Sequence, residues 1–359
     1  MLLRDALRRP AAAPVPGLPR LPALWAGAGV AAVAVALAVG VLVGPVHVSL
    51  ATVGEALLSP PFLRSQAGPD AGQLAILWSI RFPRVVLGAL VGALLATAGA
   101  AYQGVFRNPL ADPYLLGAGA GAVLGATLAI VLSRDSPLVG ASVIPIAAFG
   151  GAGAAVAATY LLGSSLGDRR TPTTLILAGV VMATFLTAVQ TFVQQSQTDS
   201  LRQVYSWILG RLVVAGWDSV ATTIPYAAVG IGVILAHRRL LDALAVGEEE
   251  VTSLGVSPRR VRLVVVAAAT LCTGAAVAAA GAIGFVGIIV PHTVRLLLGT
   301  SYRVVLPMST LLGAAFLVLA DTAARTMAAP AEVPIGVITA MVGAPFFLLV
   351  MRSSRVRDL

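Results

Sequence analysis

Ten apolar stretches, each close to the length needed to cross a membrane, decide what this chain can become. They run at about Leu21–Gly44, Val85–Tyr102, Tyr114–Leu132, Val143–Leu162, Thr174–Val193, Ser219–Ala236, Leu263–Ala280, Ile283–Leu298, Val304–Ala323 and Ile335–Met351. A helix needs roughly 20 apolar residues to span a hydrocarbon core of about 30 Å. In lipid, its backbone groups must be satisfied within the element itself. The pattern therefore predicts an all-α integral membrane protein of about ten transmembrane helices, one domain over residues 21–351. Only 11% of the 359 residues are charged, against roughly 25% in a soluble domain. Small residues such as Gly88 and Gly92 in one stretch suit helices that pack backbone to backbone.

The charges set the topology. All 24 basic residues are arginine. With the N-terminus inside, Arg64, Arg81, Arg84, Arg134, Arg202, Arg211 and Arg325 fall outside and every other arginine falls inside, as the positive-inside rule requires. An even number of spans puts both termini in the cytosol. Met1–Arg20, basic and rich in Pro and Ala, reads as a disordered cytosolic arm before an uncleaved first span, since no small-residue cleavage site follows it. Residues 352–359 read as a short cytosolic tail. The net charge of +9 then reflects membrane orientation, and nucleic acid is not expected as a partner. Two connections on the outside are long, Val46–Phe82 and Gln194–Trp217. In the second, Trp207 and Trp217 are placed as interfacial aromatics.

The longest polar island in the second half is Arg238–Arg262, with five arginines at its two ends. Leu241, Leu244, Ala245, Val251 and Leu254 recur within it at mostly helical spacing, which predicts one or two short amphipathic helices. Gly247 interrupts the pattern, and Gly255 followed by Pro258 ends it. About two dozen residues cannot bury a core of their own. The island reads either as a solvated loop or as a docking element for a cytosolic partner.

No catalytic constellation is present. His47, His237 and His292 lie far apart with no acidic residue at ligand spacing, so no metal site and no cofactor are expected. With no lysine, the chain cannot form the GxxxxGK[ST] phosphate loop. One cysteine, Cys272, excludes a disulfide framework and a cysteine metal cluster. What stands out instead are polar and helix-breaking residues at membrane boundaries. Arg81–Arg84 opens the second span on the outside, where the arginines suit headgroup anchors. In Gln103–Gly117, Pro109 and Pro113 disfavour helix at Asn108 and Asp112 and predict a double turn. Gly281–Gly299 carries Gly284, Gly287 and Pro291 in an apolar run and predicts a bent or broken helix. Asp321 and Arg325 stand at i,i+4 and can pair.

Taken together, these stretches resemble the permease subunits of bacterial ABC importers for iron–siderophore, haem and cobalamin complexes. The matching residues are RFPR at Arg81–Arg84, Gln103, NPLADP at Asn108–Pro113 and Leu116–Gly117. They continue through LAGV at Leu177–Val180, LRQVYSWILG at Leu201–Gly210 and GEEEVTSLGV at Gly247–Val256. GFVGIIVPHTVR at Gly284–Arg295, DTAAR at Asp321–Arg325 and PIGVITAMVGAPFF at Pro334–Phe347 complete the set. Val251 stands where the family commonly has alanine, and the N-terminal arm is not covered. The resemblance implies the type II ABC importer permease architecture in the bacterial cytoplasmic membrane. Its partners would be a second permease subunit in a homo- or heterodimer, two cytosolic ATPase subunits and an extracytoplasmic substrate-binding protein. It implies that the polar island is the coupling element, with Gly247, Glu248, Leu254 and Gly255 in or near an ATPase groove. It further implies gating near Asn108, Leu110 and Thr171, and docking of the binding protein through Arg81, Arg84 and Arg325.

Two other classes compete. An ion-coupled secondary transporter, acting without an ATPase, predicts carboxylates inside the spans; only Asp321 qualifies, and an arginine follows four residues later. An intramembrane enzyme would need a nucleophile–base pair, which is lacking. ATP hydrolysis is expected in a separate subunit, not in this chain.

Overall fold

The computed structural model describes residues 21–46, 48–58, 71–133, 143–165, 172–196, 200–210, 212, 216–253 and 255–357. Within them the chain is helical with no strand. Seven helices are long and apolar enough to cross a membrane, and three shorter apolar helices join them. That agrees with the ten stretches of the sequence. The long spans are α1 (Ala23–Leu42), α4 (Phe82–Phe106), α6 (Val143–Ser165), α7 (Pro172–Ser196), α9 (Trp217–Ala236), α12 (Pro258–Ala280) and α14 (Tyr302–Thr326). The shorter ones are α5 (Ala118–Ser133), α13 (Val286–Leu298) and α15 (Ile335–Arg357), whose apolar part ends at Val350. Five shorter helices complete the chain: α2 (Leu50–Leu58), α3 (Ala71–Ile76), α8 (Leu201–Ile208), α10 (Arg238–Val246) and α11 (Glu248–Ser253).

The axis of the bundle is α4, buried along nearly its whole length. It packs against α14, α12, α13 and α9. Two glycine pairs explain how the helices come so near. A Cβ on Gly92 would overlap the carbonyl of Gly313 on α14, and one on Gly99 would overlap the carbonyl of Gly287 on α13. Without side chains between them, the backbones meet, which is how membrane helices associate where lipid offers no hydrophobic gain.

Two boundaries differ from the sequence expectation. The second span does not begin at Val85. Helix extends back through α3 and a π turn at Leu77–Arg81 into α4, giving an apolar helix over Gly72–Phe106. Pro83 is accommodated because the chain widens just before it, with the Phe82 N–H donating to Leu77 O five residues back. A π turn is one of the few devices that relieves strain inside a helix. Secondly, α15 continues past Met351 through the expected tail to Arg357.

The predicted break at Gly281–Gly299 is real. At 13 residues, α13 rises only about 20 Å, too short for a hydrocarbon core. The backbone before it is extended or turned, with Phe285 in the left-handed region at φ 69°. Protein groups satisfy this freed backbone. The hydroxyl of Tyr114 donates to Ile283 O (3.0 Å) and accepts from the Ile283 N–H (3.1 Å).

Candidate functional site

Polar side chains gather at both ends of the α4–α14 axis. At one end, Arg84 on α4 forks onto two carboxylates. Its Nε donates to both oxygens of Asp321 on α14 (3.1 and 3.0 Å), and Nη2 donates to Asp321 Oδ1 (2.8 Å). Nη1 and Nη2 also reach Glu332, in the α14–α15 connection, at 2.9 and 3.1 Å. Arg325 donates to Gly40 O and to Thr322 Oγ1 (3.2 Å). Arg81 donates to the carbonyls of Val41 (2.7 Å) and Val46, closing the C-terminal end of α1, where helix carbonyls otherwise lack partners. All three arginines are buried.

Arg81, Arg84 and Arg325, the residues expected to dock a binding protein, all engage groups of this chain. Each is turned inward, because a guanidinium at membrane depth must find carbonyls or carboxylates within the protein. The anticipated Asp321–Arg325 pair is secondary: its ion-pair distance is 3.7 Å, whereas Asp321 receives three hydrogen bonds from Arg84, 237 residues away.

The opposite end carries the polar island. Leu241 and Leu244 on α10 are fully buried against α14 and α4. Between them, Asp242 accepts from the Tyr302 N–H (2.6 Å) and the Ser301 hydroxyl (2.9 Å), and pairs with Arg303 at 3.4 Å. A carboxylate on the first turn of α14 caps exposed N–H groups and meets the positive end of the helix dipole. Thus α10 is riveted to a transmembrane helix. The following α11 buries Val251 and is tied to α12 by the Glu248–Arg262 ion pair.

The four residues assigned to the coupling role divide accordingly. Gly247 separates α10 from α11. Glu248 is engaged with Arg262 though half-exposed. Gly255, at φ 75°, closes α11: its N–H bonds to Thr252 O (2.9 Å), and the Val256 N–H bonds to Val251 O (3.2 Å). That is a Schellman cap, for which glycine is the favoured residue. Leu254 lies outside the described residues, as does Thr171. Among the described residues of this element, the large apolar side chain left exposed is Val246, 74% accessible. Sequence reasoning did not single out Val246 or Asp242, since periodicity ranks burial and does not show which exposed residue stands alone.

The loop after α4 lies beside this element. Asn108 Oδ1 accepts from the Leu110 N–H (2.9 Å), fixing the predicted turn, and Leu110 is 49% accessible. Asp112 Oδ1 accepts from the Tyr114 N–H (2.7 Å), while burial pushes its carboxyl up to about 6. Buried Gln103 joins three elements, donating to Ala111 O (3.3 Å) and Gly287 O (3.1 Å) and accepting from Arg295. A cavity of about 580 Å³ opens between this loop, α10 and the start of α14, with Arg107, Pro109, Asp242, Val246, Arg295 and Arg303 in its wall.

Residues 32–353 match the FecCD transport family. The chain belongs to that family. Among relatives of FecCD type, the chain is 39% identical to an uncharacterized ABC transporter permease, YvrB of Bacillus subtilis, over 90% of this chain and 92% of that protein. It is 46% identical to the cobalamin import system permease BtuC of Halobacterium salinarum, over 81% and 77%. It is 38% identical to the hemin transport system permease HmuU of Yersinia pestis, over 78% and 84%. Its fold resembles that of a metal-chelate-type ABC transporter solved in an inward-facing conformation, with TM-score 0.76 and 25% identity over 92% of this chain and 99% of that one. This FecCD protein is a multi-pass membrane protein with the helical architecture of such transporters.

Proposed function

We propose that this chain is the permease subunit of an ATP-driven importer that carries an iron–siderophore complex, haem or cobalamin across the bacterial cytoplasmic membrane. One observation carries the mechanism: α10 and α11 present an exposed face at the mouth of the bundle while Asp242 locks α10 to the first turn of α14. Force applied to that face reaches α14, and through its glycine contact with α4 it reaches the central helix. In this reading two cytosolic ATPase subunits press on the element, and a second permease subunit completes the path. The gate is placed at Asn108 and Leu110, beside the driven helix, and both termini lie in the cytosol. An extracytoplasmic binding protein delivers the cargo. It docks at the outer end of the bundle, where Arg81, Arg84 and Arg325 hold the helices together.

A secondary transporter is disfavoured because Asp321, a buried carboxylate within a span, is taken up by Arg84 and is not free to relay protons. The test is association with the cognate ATPase. Val246→Asp puts an unpaired carboxylate into the contact, and a loss of about 3 kcal/mol on desolvation weakens binding roughly a hundredfold. Membrane insertion stays normal, since Val246 lies outside the spans. Unchanged ATPase co-purification and uptake would remove the coupling role, and ATP hydrolysis by the isolated chain would remove the subunit assignment.

A further inference from the structure

We propose that the cavity between α10, the α4–α5 loop and the start of α14 is a binding site for a phosphate-bearing anion. Its wall brings together Arg107, Arg295 and Arg303 against a single carboxylate, Asp242. Three positive charges less one negative leave two uncompensated. The carboxylate is already committed to Tyr302, Ser301 and Arg303. Among the described residues, no carboxylate pairs with Arg107 or Arg295. Arg295 has neutral neighbours: the Gln103 side-chain carbonyl, the Tyr302 hydroxyl at 3.4 Å, and the Tyr302 ring 5.5 Å away. The Arg303 Nε is shielded from water and stands 3.4 Å from Asp242 Oδ2 without the alignment of a hydrogen bond.

Holding cations together in a partly dry wall is unfavourable unless an anion completes it. Guanidinium forks match phosphate oxygens in geometry and charge, and one phosphate can engage two forks at once. The volume, about 580 Å³, lies in the range of small-molecule sites. Val246 forms an apolar margin on the same wall, which suits an esterified phosphate better than a bare one. Two sources share this chemistry, the headgroup of an anionic lipid and a soluble phosphate. The inference does not rest on the transport reading.

The experiment uses the purified full chain in neutral-detergent micelles, with no other subunit present. Phosphatidylglycerol or phosphatidylcholine is titrated in, and inorganic pyrophosphate is titrated separately at matched ionic strength. Retained adducts are counted by native mass spectrometry. A preference of tenfold or more for phosphatidylglycerol over phosphatidylcholine supports the site with a lipid source; saturable pyrophosphate binding without lipid preference supports it with a soluble source. In either case Arg107→Gln, an exposed position, lowers the affinity about tenfold by removing one charge-assisted contact, with the unfolding midpoint in anion-free micelles unchanged. Arg295→Gln gives a second, independent reduction. Absence of saturable binding for both probes overturns the proposal, as does affinity unmoved by both variants. If neither probe binds while Arg107→Glu weakens capture of the ATPase, the cavity is a seat for an acidic protein side chain, and the phosphate assignment is wrong.

Discussion

Replacing Arg84 by Gln removes the cation that holds Asp321 and Glu332 at one end of the bundle. The side chain of Asp321 is 3% accessible and that of Glu332 is 29% accessible. After the change, Asp321 keeps only Arg325, whose Nε is 3.7 Å away and poorly aligned. Removing one partner of a buried pair typically costs about 3–5 kcal/mol, because a desolvated charge is left behind, whereas removing both partners costs far less. Arg84→Gln is therefore expected to destabilise by about 3 kcal/mol, with Glu332 still able to turn toward water. Arg84→Gln with Asp321→Asn should recover at least half of that. Equilibrium unfolding in mixed micelles with increasing dodecyl sulfate, read by helical circular dichroism, measures all four corners of the cycle. A single-variant cost below about 1 kcal/mol, or a double variant as costly as the sum of the singles, would show that the fork is incidental and that packing alone holds the end together.

Asp242→Ala strands the Tyr302 N–H and the Arg303 guanidinium at about 1–3 kcal/mol; amides of α10 should exchange hydrogen at least about tenfold faster while the centre of α4 stays protected. The buried Asp112 carboxyl, pushed up to about 6, binds its proton more tightly folded than unfolded. Its contribution to stability is therefore full below about pH 4 and lost as the pH rises through about 6. Asp112→Asn keeps the acceptor for the Tyr114 N–H, so it should raise stability at pH 7 by on the order of 2 kcal/mol and flatten the pH profile between 4 and 7, measured by thermal unfolding. Gly99→Val drives a side chain into the Gly287 backbone and should cost at least about 1–3 kcal/mol, lowering the yield of folded protein. Gly150→Ala, where nothing lies within 4 Å, serves as the silent control.

The class of fold, the series of about ten apolar helices and the break at Gly281–Gly299 were legible in the order of residues, because each depends on local quantities. Apolar length, the arginine distribution and the glycine and proline positions act within a window of some twenty residues. The same holds for the amphipathic α10 and for the turn that Asn108 fixes. The family was legible too, since its motifs run in order along the chain. Tertiary structure alone decided which polar groups meet. Arg84 finds Asp321 and Glu332, Asp242 finds the first turn of α14, and Gln103 links Ala111, Gly287 and Arg295. Periodicity marked Arg81 and Arg84 only as charges beside a span. Whether such a charge faces water or turns inward depends on the partners that packing brings to it, from tens to hundreds of residues away. At membrane depth, solvating a guanidinium inside the protein is cheaper than leaving it in lipid, and that comparison is made only once the helices are assembled.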